Sequence, residues 1–187
     1  MPRITLHRIS DPLEATRLAP LLSQAFGPRN HLAATLERWI TDPTMAVIEA
    51  RELETTAGLA VARWNDADEW TDGVNLEPET LGGFLGRRIA TFQLLTVLPA
   101  FRRQGVGRLL CSALYEWMKS EGCQGAVGFA WQHGGEDSSI PLFRAAQFEL
   151  LAELPGYYRT RSVETGHFCP VCKGPCDCAA LLFGLLW

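Results

Sequence analysis

The stretch Leu94-Leu95-Thr96-Val97-Leu98-Pro99-Ala100-Phe101-Arg102-Arg103-Gln104-Gly105-Val106-Gly107-Arg108-Leu109-Leu110 decides the fold. It opens on the end of an apolar run, Ile89 to Leu98, without clean alternation, as a central strand covered on both faces requires. A short basic loop follows. A helix then runs from Gln104 to Ser120, with Val106, Leu109, Leu110, Ala113, Leu114 and Trp117 as its inner stripe. Free N–H groups at a helix start carry partial positive charge and favour a bound phosphate. Glycine at 105 and 107 removes side chains that would hold phosphates off the backbone. Arg102, Arg103 and Arg108 add positive charge at the same point. No Lys-Ser/Thr follows the glycines, so this is not a Walker loop. A dinucleotide fingerprint would need a third glycine and a downstream acidic residue on a strand end.

On the N-terminal side, Arg3 to Ile9 alternates and predicts a strand. Asp11 as N-cap and Pro12 as N1 open a helix with Leu18, Leu21, Leu22, Ala25 and Phe26 inward, stopped by Gly27-Pro28. A second helix is expected from Asn30 to Ile40, then a hairpin of Met45–Leu53 and Gly58–Trp64. The acidic stretch from Asn65 to Phe84 reads either as a solvated excursion or as an acidic lid for a cationic substrate. On the C-terminal side come a strand from Ala126 to Trp131, a short helix from Ser139 to Ala146, and closing strands at Phe148–Leu154 and Ala179–Leu186. This order predicts an α/β (α+β) chain with a mixed sheet, residues 1–187 as one domain.

Composition narrows the class. With 47% hydrophobic and 20% charged residues, the 187-residue chain is globular, and its net charge of -4 argues against a nucleic-acid partner. No apolar run reaches the roughly 18 residues of a membrane span. Met1-Pro2-Arg3-Ile4 meets charge too soon for a secretory signal, so a reducing, cytoplasmic setting is expected. A homodimer is left open.

The string Val97-x-Pro99-x-Phe101-Arg102-x-x-Gly105-x-Gly107 resembles the coenzyme A-binding motif of the GNAT acetyltransferases. That resemblance implies a mostly antiparallel central sheet flanked by helices, and transfer of an acetyl group from acetyl-CoA to a primary amine, on a small molecule or a protein N-terminus. It implies that the backbone of Leu95, Thr96 and Val97 pairs with the pantetheine arm. The turn Arg102, Arg103, Gln104, Gly105, Val106, Gly107 and Arg108 would then cradle the pyrophosphate. Leu142-Phe143-Arg144-Ala145-Ala146-Gln147-Phe148 is similar to the family's Leu-Tyr-x-x-x-Gly-Phe helix end, and Leu154 to Tyr158 to a paired-tyrosine loop of N-terminal acetyltransferases. The chain departs where acid and base are expected. Phe143 replaces the tyrosine acid, Trp131 a glutamate, and Glu136 an asparagine that contacts the coenzyme. His133, Glu136 and Asp137 are the nearby substitutes for a base, His133 having the apt unperturbed pKa. Tyr157 and Tyr158 either supply the acid or only line the pocket. A non-catalytic coenzyme A-binding regulatory module, or a zinc-stapled interaction domain, are the alternatives.

Cys111 and Cys123 fall in or beside the apolar helix and read as core residues. Residues 167–178, ahead of the last strand, hold Cys169, Cys172, Cys176 and Cys178 in the pattern Cys-x2-Cys-x3-Cys-x-Cys. In a reducing compartment this density favours tetrahedral zinc over disulfides. The tight Cys176-x-Cys178 pair could strain such a site, in which case His167 would replace one sulfur. Redox behaviour and simple free thiols stay open.

Overall fold

A computed structural model describes residues 4–26, 31–66, 70, 76–132, 139–165, 169 and 171–187. The fold is mixed α/β with seven mostly antiparallel strands. The chain divides into two compact units, residues 1–65 with 90–123, and residues 66–89 with 124–187. Among the described residues no helix is long and apolar enough to cross a membrane.

In the first unit the strands lie in the order β1 (Ile4–Arg8), β2 (Met45–Glu52), β3 (Thr55–Asn65), β4 (Ile89–Val97). β1 and β3 run antiparallel to β2, with Leu6 opposite Ala50 and Val47 opposite Val61. Helix α1 (Glu14–Phe26) begins later than Asp11-Pro12; the Asp11 carboxylate accepts the Leu13 N–H at 2.9 Å in the turn ahead of it. Helix α2 (Leu32–Thr41) starts two residues inside its expected start. Leu18, Leu22 and Leu36 from these helices are fully buried with Val47, Leu59 and Val61, each contributing about 2 kcal/mol by burial. Helix α4 (Val106–Ser120) buries Val106, Leu110, Leu114, Trp117 and Met118. Gly122 (φ +75°) ends it, with Cys123 N–H donating to the Met118 carbonyl at 3.0 Å.

One buried charge was not foreseen. Glu49 on β2 has no exposed surface. Arg17 donates to both its oxygens at 2.8 Å, Arg51 donates at 2.7 Å, and the Thr56 hydroxyl also donates. Glu14 bridges the same two arginines.

In the second unit the order is β5 (Gly125–Gln132), β7 (Ala179–Leu186), β6 (Glu149–Leu154), both neighbours of β7 antiparallel to it. The described part of the acidic stretch is not wholly solvated. Trp70, Leu81 and Phe84 are buried with Ile89, Val127 and Leu182, and helix α3 (Pro78–Leu81) lies within it. Apolar residues too sparse to show a period are still buried when a sheet face is offered to them. Asp66 accepts a hydrogen bond from Arg88 Nε at 2.9 Å and forms an ion pair with the same guanidinium at 2.8 Å; Asp68, Glu69 and Asp72 lie outside the described residues. Helix α5 (Ile140–Ala145) ends on Gln147 at φ +64°, the place of the family's glycine. Helix α6 (Arg159–Thr165) was not foreseen, because it has no apolar period.

Candidate functional site

β4 ends at Val97, Pro99–Phe101 makes one 3₁₀ turn, and α4 starts at Val106. Gly105 is the N-cap at φ +84°, where only glycine sits without strain, and no side chain caps the helix. The first amides of α4 are therefore offered outward beside an exposed Gly105, while buried Val106 anchors the turn below. This backbone fits a pyrophosphate. The basic residues divide the work. Arg102 Nε donates to the Val97 carbonyl at 3.0 Å, so this side chain braces the strand end. Gln104 likewise donates to the Ala100 carbonyl at 2.8 Å. Arg103 and Arg108 are exposed, and Arg103 is held at φ +63°, a cost of about 1 kcal/mol. Leu95 and Val97 are half-buried on β4 and Thr96 is buried. A Cβ at Gly58 of β3 would stand 2.7 Å from the Thr96 carbonyl oxygen, so glycine there is what lets β3 approach this segment.

In the second unit Tyr157 stacks on Phe129 of β5, with ring centroids 4.9 Å apart and planes 9° from parallel. Tyr158 stands edge-on to Tyr157 at 5.0 Å. The predicted tyrosines are thus brought together, and Phe129 is an addition that the sequence did not mark. Phe143 is buried, stacked on Phe183 and edge-on to Phe148, with its ring tip in the notch left by Gly128. At this position the chain has a packing residue. His133, Glu136 and Asp137 lie outside the described residues. The first unit also has an open cleft of about 260 Å³ lined by Arg38, Trp39, Asp42, Met45, Arg63 and Gln93. Its two guanidinium groups suit it poorly to a cationic amine.

The model of the acetyltransferase (GNAT) family matches residues 15–148. The chain belongs to this family. Among solved structures, Arabidopsis thaliana NAA60 in complex with acetyl-CoA is similar with a TM-score of 0.73 at 15% identity, over 98% of each chain. Ard1 from Thermoplasma volcanium is similar with a TM-score of 0.66 at 16% identity, over 98% of this chain and 97% of that one. The ribosomal-protein-S18-alanine N-acetyltransferase from Escherichia coli gives 0.63 at 16% identity, over 98% and 94%. At these identities the likeness is one of fold. No curated protein sequence matches significantly.

Beyond the family match, residues 149–187 of this GNAT chain include the four cysteines. Their sulfurs all lie within 4.8 Å of one another, Cys176 and Cys178 included, so the tight pair does turn inward together. His167 lies outside the described residues. None of the six cysteines is joined in a disulfide. Burial pushes the Cys111 thiol up to about 12, consistent with an inert packing role. Cys169 is different: burial would raise it, but N–H groups of Cys172 and Val171, with neighbouring thiols, bring it below its ordinary value.

Proposed function

We propose that this GNAT chain is an acetyl-CoA-dependent N-acetyltransferase acting on a primary amine, with the α-amine of a protein N-terminus as the preferred acceptor. The observation that carries the coenzyme half is the uncapped start of α4 behind exposed Gly105. The acceptor half is supported by the Phe129–Tyr157–Tyr158 aromatic set, which suits the face of an ammonium or a peptide end. Related folds also carry such substrates: one neighbour is a NatC complex bound to Gag peptide and CoA, another the NAA60 complex with a bisubstrate analogue.

In the reaction a neutral amine attacks the thioester carbonyl. The N–C bond forms, the C–S bond breaks, the ammonium proton passes to a base, and the coenzyme thiolate takes up a proton. We assign the base to His133 or Glu136, and the acid to Tyr157 or Tyr158, since Phe143 has no proton to give. Held geometry supplies much of the rate in such a transfer. A cytoplasmic, reducing setting fits this assignment.

Thiol release from acetyl-CoA, measured across peptide N-termini, lysine side chains and polyamines, tests the reading. Turnover should be fastest on peptide α-amines. Coenzyme binding with no turnover on any amine would make the chain a coenzyme-binding regulatory module instead.

A further inference from the structure

We propose that Cys169, Cys172, Cys176 and Cys178 bind one zinc ion, and that this ion holds α6 and the Tyr157–Tyr158 turn in place, making acceptor use dependent on the metal. The second half rests on the acetyltransferase reading above; the first stands without it.

Four sulfurs around one zinc at about 2.3 Å occupy tetrahedron corners roughly 3.8 Å apart. The four Sγ atoms lie within 4.8 Å of one another, and Cys172 and Cys178 are 3.5 Å apart. Small side-chain shifts would close the tetrahedron, whereas a disulfide needs about 2.05 Å and would serve only two sulfurs at a time. Two backbone N–H groups of the loop already face sulfur. Cys172 N–H donates to Cys169 Sγ and Asp177 N–H to Cys172 Sγ, both at 3.4 Å. The loop itself is a small hairpin: Cys169 N–H donates to the Gly174 carbonyl at 2.8 Å, and Lys173 N–H to the Cys169 carbonyl at 2.9 Å. An all-sulfur donor set selects a soft ion over magnesium or calcium. On binding, four Zn–S bonds form and the thiol protons pass to solvent.

What the ion would hold follows from what α6 lacks. It has 7 residues, too few to stand alone, and among its described side chains only Ser162 is buried. Val163 is 61% exposed. Two polar contacts of its described residues end in the cysteine loop. The Ser162 hydroxyl accepts the Cys176 N–H at 2.7 Å, and Arg159 pairs with Asp177 at 3.0 Å. Tyr157 and Tyr158 form the turn directly before α6. On the other side, the loop runs directly into β7, whose Ala179 pairs with Gln132 at the end of β5. The loop therefore links the tyrosine turn to the end of β5.

The full chain, purified without added metal, is expected to carry about one zinc per chain by elemental analysis. Its cobalt form should show thiolate-to-cobalt charge-transfer absorption. Stripping the ion should speed tryptic cleavage after Arg159 about tenfold and raise the KM for a peptide acceptor about tenfold, with coenzyme A affinity unchanged. Cys172→Ala, which removes the exposed ligand and leaves the core intact, should behave like stripped protein. Absence of zinc with four reactive thiols, or iron in its place, overturns the metal site. Zinc whose removal alters neither cleavage nor KM overturns the coupling. Zinc and metal-dependent cleavage without acetyl transfer to any amine would sink the acetyltransferase reading and leave the metal site standing.

Discussion

Glu49 in the first unit and the cysteines in the second are both gathered ionisable groups, but their charge is met differently. Around Glu49 the chain supplies its own balance: two carboxylates, Glu14 and Glu49, face two guanidinium groups, Arg17 and Arg51. Burial alone would raise the Glu49 carboxyl, yet hydrogen bonds from Arg17, Thr56 and Arg51 hold it below its ordinary value. In the cysteine loop Cys169 is drawn toward the thiolate, while burial pushes Cys176 up to about 12. A cluster balanced by its own side chains is complete when the chain folds. One built of four sulfurs would, as proposed above, be completed by a metal ion that displaces the thiol protons.

That contrast can be broken at several points. The largest effect is expected at Glu49→Gln, which leaves two arginines sharing Glu14 alone and should cost about 3 kcal/mol in urea unfolding at neutral pH, with zinc content unchanged. Because the folded carboxyl titrates below its unfolded value, its contribution is complete above about pH 4.3 and fades as pH falls through the folded value. The variant should lack that acid-side loss; a parallel pH profile in both proteins would show that Glu49 is not the group responsible. A smaller effect is expected at Gly128→Ala, whose Cβ would lie 2.3 Å from Phe143 Cζ. Overpacking there should cost about 2 kcal/mol whether or not zinc is bound. An effect seen only in stripped protein would mean that the aromatic core of the second unit also leans on the metal. Gly105→Val should weaken coenzyme A binding about tenfold, roughly 1.4 kcal/mol, without changing metal content. Calorimetric titration with coenzyme A checks this, and unchanged affinity would remove the α4 start as the pyrophosphate seat.

The parts that could be read in advance share a local cause. The run from Ile89 to Ser120 declared itself because an apolar strand, a basic turn and two glycines each need only their neighbours for their conformation. Trp70 and Phe84 could not be placed, since isolated apolar residues in an acidic stretch show no period. Glu49 could not be paired, because its partner Arg17 lies 32 positions away and on a different element. Helix α6 was invisible for a related reason, as its anchors Ser162 and Arg159 bond to a loop 14 and 18 residues further on.

The sequence by itself determined the strand–turn–helix that presents backbone amides at Gly105, the family to which that turn points, and a cysteine spacing able to ligate a metal. Backbone conformation and side-chain period are short-range properties and are written locally. Only the tertiary structure decided that all four sulfurs converge, that Tyr157 stacks on Phe129, that Phe143 fills the notch at Gly128, and that Glu49 is buried between two arginines. Each of these depends on distances of a few ångströms between residues far apart in the chain, and only the packed fold sets such distances.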